Sequence, residues 1–138
     1  MKVSKENIKS FIPQRQPFIM IDNLLNASPT KFESDFEITS ENIFLKNGIL
    51  YEPALIENIA QTCAAGFGFV QSQFDGKPRL GFIGAVSKLE VHSLPNVNSI
   101  INTHVEVIHQ LENIFLVKGE NFCNGKKLIE CEMKIVIN

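Results

Sequence analysis

The sequence predicts an α+β domain in which an antiparallel sheet wraps one long helix, and three observations carry that prediction. The stretch PALIENIAQTCAAGFGFV, Pro53 to Val70, is apolar around most of its circumference, so a helix there calls for burial on nearly all sides. Lys31 to Thr39 alternates, with Phe32, Ser34, Phe36 and Ile38 on one side and Lys31, Glu33, Asp35 and Glu37 on the other, the pattern of a strand with one wet face. From Arg79 onward the chain is strand-like to its end, as Arg79–Val91, Ser99–Gln110, Asn113–Cys123 and Lys126–Ile137, punctuated by Pro95-Asn96, Leu111-Glu112 and Asn124-Gly125.

Taken in order, Ser4 is placed to cap a short N-terminal helix carrying Ile8, Phe11 and Ile12, and Pro13 ends it. Pro17 to Leu25 is an apolar run expected to form a strand and to pair with Lys31–Thr39 as a hairpin across Ala27-Ser28-Pro29-Thr30. Asn42 to Tyr51 contains Asn47-Gly48 and leads to Glu52-Pro53, where a proline suits the first turn of a helix. Ala60, Ala64, Ala65, Gly66 and Gly68 keep that helix slim. Each glycine costs about 1 kcal/mol of helix propensity relative to alanine. Either a sheet or another subunit approaches closely there, or the glycines fray the helix end. A loop is expected at Phe74 to Pro78, then a meander whose last strand turns Ile129, Cys131, Met133, Ile135 and Ile137 to one face. A half-wrapped sheet leaves one helix face and a sheet edge open, so a homodimer is expected.

The length of 138 residues fits one domain, residues 1–138, and 44% hydrophobic with 20% charged residues is globular composition. Thirteen basic against fifteen acidic side chains, net charge -2, form no basic block, so nucleic acid is not an expected partner. No apolar run reaches the roughly 20 residues of a membrane helix, and the N-terminus lacks the apolar stretch of a signal peptide, which predicts a cytoplasmic protein. Cys63, Cys123 and Cys131 lack C-x-x-C spacing and read as reduced core residues; no metal or other cofactor is expected.

Glu57 is the one carboxylate inside the apolar helix, four residues before Gln61 and on the same face. Burying an unpaired carboxylate costs several kcal/mol, so its presence marks a candidate site. The alternative is an exposed Glu57 favoured by the helix N-terminal dipole. His92, His104 and His109 all fall in the C-terminal sheet, and the odd spacing of the last two puts them on opposite faces of a regular strand.

Two segments resemble a known family. Ile12-Pro13-Gln14-Arg15-Gln16-Pro17-Phe18-Ile19-Met20-Ile21-Asp22 is similar to the L-P-H-R-x-P-F-L-L-V-D opening of β-hydroxyacyl-acyl-carrier-protein dehydratases, with Gln14 at the histidine, and Glu57-Asn58-Ile59-Ala60-Gln61 resembles their E-A-x-A-Q. The resemblance implies a hot-dog fold without a cofactor and an acyl thioester of acyl-carrier protein or coenzyme A as partner. It also implies Glu57 and Gln61 as the catalytic pair, with Asn47, Gly48, Tyr51, Pro53 and Ala54 at the substrate. In that family the helix acid works with a histidine of a G-H-F-P segment from the opposite subunit. Here Phe44 to Pro53 holds no histidine. The resemblance therefore implies an acyl-thioester protein of the dehydratase type, with two alternatives: a thioesterase using Glu57, or a non-catalytic scaffold subunit.

Overall fold

The computed structural model describes residues 1–75 and 81–137. The expected loop at Gly76-Lys77-Pro78 and the expected strand start at Arg79 lie outside the described residues. Near the N-terminus the expected helix shrinks to one 3-10 turn, Ile8–Ser10, because Pro13 leaves too few residues to propagate an α-helix. Asn7 rather than Ser4 precedes the turn, and its side chain caps nothing. Strands β1 (Asn23–Ala27) and β2 (Lys31–Glu37) form the expected antiparallel hairpin, with β1 starting later than Pro17. A second, small hairpin joins β3 (Leu45–Lys46) to β4 (Ile49–Leu50) through Asn47 and Gly48, whose φ angles of 52° and 75° are those of a tight two-residue turn.

Helix α1 spans Glu52–Asp75, so it runs past Val70 and takes in Phe74 and Asp75, which the sequence placed in a loop. No proline interrupts it after Pro53, and Gln71-Ser72-Gln73 are tolerated at helical positions. The glycines do not fray it. A side chain at Gly66 would fall within the Phe32 ring, so β2 makes the close approach that offsets the propensity cost. Gly66→Ala is expected to destabilise by about 1–3 kcal/mol, read as a lower urea midpoint with unchanged slope.

Strands β5 (Gly81–Val91), β6 (Ile100–Leu111), β7 (Ile114–Cys123) and β8 (Lys126–Ile137) complete a six-stranded antiparallel sheet in the order β1-β2-β6-β7-β8-β5. β6, β7 and β8 form the expected meander, while β5 lies on the far side of β8 as an edge. The inward faces are as the alternation predicts: Phe32, Ser34 and Phe36 on β2, and Ile129, Cys131, Met133 and Ile135 on β8, are buried against α1.

One expectation is corrected. The sheet was expected to leave a helix face open, but Asn58 to Gly68 is buried on every side within one chain. The chain covers that face itself with Ile8, Ile12, Ile19, Met20 and Ile21, all buried, and Phe11 packs on Phe69 with ring centroids 6.0 Å apart. What remains open is the β5 edge, where Phe82, Ile83, Val86, Leu89 and Val91 are each at least 40% exposed.

Asp22 closes the covering segment. Its Oδ2 accepts the Glu37 N–H at 2.8 Å, and burial raises its carboxyl above the usual carboxylate range. An acid with a raised folded pKa holds more protons folded than unfolded, so its contribution to stability falls as pH rises from the unfolded value through the folded one. Asp22→Asn keeps the acceptor and removes the charge. It should melt above the wild type at pH 7, with the gap closing as the pH approaches 4.

Candidate active site

Gln61 is fully buried, and its amide is committed in three directions. Oε1 accepts the Met20 N–H at 2.6 Å, while Nε2 donates to the Phe18 carbonyl at 2.9 Å and to Glu57 Oε2 at 2.8 Å. Asn58 adds a fourth tie, Nδ2 to the Met20 carbonyl at 2.7 Å. These bonds explain why Phe18 to Ile21 is no strand. The Met20 N–H, the Met20 carbonyl and the Phe18 carbonyl are taken by side chains of α1, which withdraws them from pairing with a neighbouring strand. They also fix Glu57, half-buried one turn into the helix, by one oxygen. Gln61, expected beside Glu57 as a catalytic partner, sits there with both amide protons spent inside the protein.

The other expected site residues divide. Ala54 is buried and Pro53 exposed in the first turn of α1, where the Tyr51 carbonyl accepts the Ala54 N–H at 3.1 Å. Asn47 and Gly48 form the β3–β4 turn, tied down by Val97 N–H to the Gly48 carbonyl at 2.8 Å. Both are held by the fold and lie before the helix start.

Sequence reasoning missed a buried polar network behind Glu57. Asn58 Oδ1 accepts from Thr103 Oγ1 and from Asn121 Nδ2, the latter at 3.3 Å. Asn121 also donates to the Leu55 carbonyl at 3.1 Å and accepts the Ile129 N–H at 3.2 Å. Thr62 donates to the Asn58 carbonyl at 2.7 Å and meets Ser34 Oγ at 2.7 Å. The signal was present: Asn58 and Thr62 in an apolar helix, with Ser34, Thr103 and Asn121 at inward strand positions.

The histidines are elsewhere. His104 and His109 were expected on opposite faces, but a bulge between Val107 and His109 shifts the register, and they pair with Glu120 and Leu116, which share one face of β7. Both are exposed. His92 lies 3.3 Å from Glu130, in an outer-face cluster where Lys127 Nζ reaches Glu130 at 2.7 Å and Glu120 at 2.6 Å. No histidine of this chain faces α1 or Glu57.

A groove lies beside α1 further along the helix than Glu57, which is not among its lining residues. Ala60 and Ala64, one and two turns beyond Glu57, line a cavity of about 280 Å³ with Pro13, Gln14, Phe82, Ile83 and Ile135. It opens between the covering segment and the β5 edge.

A six-stranded antiparallel sheet curled on one long helix is a hot-dog domain. The chain belongs to the ApeP-like family, whose description is ApeP dehydratase and whose sequence model matches residues 6–137. Among curated relatives it is 27% identical over 143 residues to the 3-hydroxyacyl-[acyl-carrier-protein] dehydratase FabZ of Clostridium kluyveri, covering 99% of this chain and 97% of the relative. Against the FabZ of Enterococcus faecalis it is 24% identical, covering 99% of each chain. Among solved structures, the dehydratase heterocomplex ApeI:P from Xenorhabdus doucetiae superposes with a TM-score of 0.84 at 16% identity, over 95% of this chain and 90% of that one. A hypothetical thioesterase from Streptococcus pneumoniae, solved with coenzyme A, gives 0.69 at 8% identity, over 84% of each chain. At these identities the structural likenesses establish the fold.

Proposed function

We propose that this chain supplies half of an acyl-thioester dehydratase site, and that a second hot-dog chain docked on the β5 edge supplies the histidine. The observation that carries the reading is the Glu57 carboxylate, half-buried one turn into α1 and held by Gln61 through one oxygen, on the helix face that Ala60 and Ala64 continue into a groove. Dehydration of a 3-hydroxyacyl thioester removes a proton from C2 and delivers one to the 3-hydroxyl as it leaves as water, so two proton-exchanging groups must flank the chain. Glu57 is one of them, and Gln61 is its positioning residue. The acyl chain lies along Ala60 and Ala64, and the thioester sits by Tyr51, Pro53 and Ala54, beyond the Asn47-Gly48 turn. The carrier is acyl-carrier protein or coenzyme A.

Two copies of this chain would bring two Glu57 acids and no histidine from the segment before the helix, where Phe44 to Pro53 holds none. A homodimer through β5 therefore binds acyl thioesters without dehydrating them, and a histidine-bearing hot-dog chain in the same place completes the pair. The family match and the FabZ relatives support the chemistry, and the heterocomplex nature of ApeI:P supports mixed pairing. Free Cys63, Cys123 and Cys131 fit a reducing, cytoplasmic setting. Among the described residues no helix is long and apolar enough to cross a membrane.

The test is to incubate the purified chain with 3-hydroxyacyl and saturated acyl-coenzyme A, following enoyl formation and thiol release. It is then repeated with a G-H-F-P hot-dog chain encoded by the same organism. Enoyl formation only in the mixture is expected. Thiol release by this chain alone would favour the thioesterase reading, and failure to bind any thioester would leave the scaffold reading. A monomer by light scattering at micromolar concentration would remove self-pairing.

A further inference from the structure

We infer that Glu90, His92 and Glu130 form a binding site for a divalent transition-metal ion on the outer face of the sheet, where the ion ties the β5 edge to β8. The inference is independent of the acyl-thioester reading. Glu90 stands directly across from Glu130, and Glu130 across from Glu120, so three carboxylates lie abreast on β5, β8 and β7. Like charges directly opposite destabilise a sheet unless something neutralises them. Lys127 answers two of the three, with its Nζ 2.7 Å from Glu130 and 2.6 Å from Glu120. Among the described residues, the basic side chain in ion-pair reach of Glu90 is His92, at 3.7 Å. Three carboxylates against one ammonium leave two negative charges while His92 is neutral, and that is the charge of one divalent ion.

The backbone builds this arrangement. Ser87 pairs with Glu132 and Glu90 with Glu130, so Lys88 and Leu89 together stand against Cys131, a β-bulge in which Lys88 takes a left-handed φ of 53°. In unbroken register Leu89 would oppose Glu130, and Glu90 would share the inward side of Ile129. The bulge turns Glu90 outward. His92, two residues on, follows it onto the same face, with its main-chain N–H donating to the Leu128 carbonyl at 2.8 Å. His92 Nε2 lies 3.3 Å from Glu130 Oε2 and 3.7 Å from Glu90 Oε2, and one donor atom from each residue lies within 4.8 Å of the others. Donors about 2.0–2.2 Å from a tetrahedral ion are about 3.3–3.6 Å apart. Two edges of the site are therefore near their final length, and the third closes by rotation of the Glu90 side chain, which is 65% exposed. Solvent supplies the remaining position. One imidazole nitrogen with two carboxylate oxygens suits zinc and its neighbours, whereas calcium and magnesium take oxygen ligands. The Lys127 ammonium, and after it the His92 ring, hold the Glu130 carboxyl below the usual carboxylate range, so this ligand is ionised at neutral pH. Lys127 is also the competitor, and it keeps Glu120 when the ion takes Glu130. The sequence expects no metal because local spacing is all it displays, and strand pairing brings Glu130 to His92 across 38 residues.

The experiment titrates zinc chloride into the untagged, chelator-treated full-length protein at pH 7.5 and follows binding by calorimetry, with magnesium chloride as the control. One zinc per chain is expected, and no magnesium. His92→Ala and Glu90→Gln should each weaken zinc binding about tenfold or more, because each removes a ligand. Lys127→Met should strengthen it about tenfold, because it removes a like charge that competes for Glu130. His104→Ala, which leaves the site intact, should bind as the wild type does. Zinc should also slow amide hydrogen exchange along β5 in the wild type and leave it unchanged in His92→Ala, since the ion pins that edge to β8. No saturable zinc binding up to about 1 mM would overturn the inference. So would binding that His92→Ala leaves intact, or that His104→Ala weakens equally, since the ion would then be held elsewhere on the surface. Zinc binding no tighter in Lys127→Met than in the wild type would show that the ion does not reach Glu130, and would overturn the three-residue site. None of these outcomes bears on acyl-thioester binding, which has its own test.

Discussion

Glu57→Gln in the completed two-chain assembly is expected to cut turnover of a 3-hydroxyacyl thioester by about 10²–10⁴-fold, the range for losing a proton-transfer group. Stability and assembly should be unaffected. The replacement keeps the volume, and its carbonyl oxygen can still accept the bond that Gln61 Nε2 now makes to Glu57 Oε2. What it loses is the capacity to take up and release a proton. Gln61→Leu separates positioning from chemistry. It strips partners from the Met20 N–H and the Phe18 carbonyl as well as from Glu57, so melting temperature and turnover should fall together. If Glu57→Gln keeps more than about a tenth of wild-type turnover, well above the loss expected for a proton-transfer group, Glu57 is not the acid and the half-site reading fails.

The features legible in the sequence are those set by local periodicity. The all-round apolar helix, the wet-faced strand at Lys31 and the inward row on the last strand each follow from which side chains recur at which spacing. Glu57 stood out for the same reason, as a carboxylate where the pattern allowed none. The rest depends on partners distant in sequence. An apolar run such as Phe18 to Ile21 reads alike whether its main chain pairs with a strand or is bonded by Asn58 and Gln61 some forty residues away, as the structure has it. The faces of His104 and His109 hinged on a bulge at Ile108 that no residue type announces. The covered outer face of α1 was likewise invisible, because Ile8, Ile12 and Ile19 look the same whether they pack on their own helix or on another subunit.

Asn58→Ala is expected to be the most destabilising single change near the site. Alanine is the residue that the resembled E-A-x-A-Q motif has here, so it fits the helix, and the loss arises chiefly from hydrogen bonding, with the vacated volume adding to it. Asn58 Nδ2 satisfies the Met20 carbonyl, and Oδ1 satisfies Thr103 Oγ1 and shares Asn121 Nδ2 with the Leu55 carbonyl. Removing the amide leaves the Met20 carbonyl and the Thr103 hydroxyl buried without these partners, at about 1–3 kcal/mol each. The sum is about 2–6 kcal/mol, which should lower the melting temperature by about 10 °C or more. Adding Thr103→Val should recover about 1 kcal/mol, since the second orphan is then gone, and the double-mutant cycle should show that coupling. The effect reaches the site through Met20. With one of its two ties to α1 cut, the segment that Gln61 grips becomes looser, and Glu57 with it. Turnover per folded molecule should therefore drop well below the wild type's but stay above that of Glu57→Gln. An unchanged melting temperature for Asn58→Ala would mean that water takes over these bonds, and that Gln61 alone holds residues 18–20 against the helix.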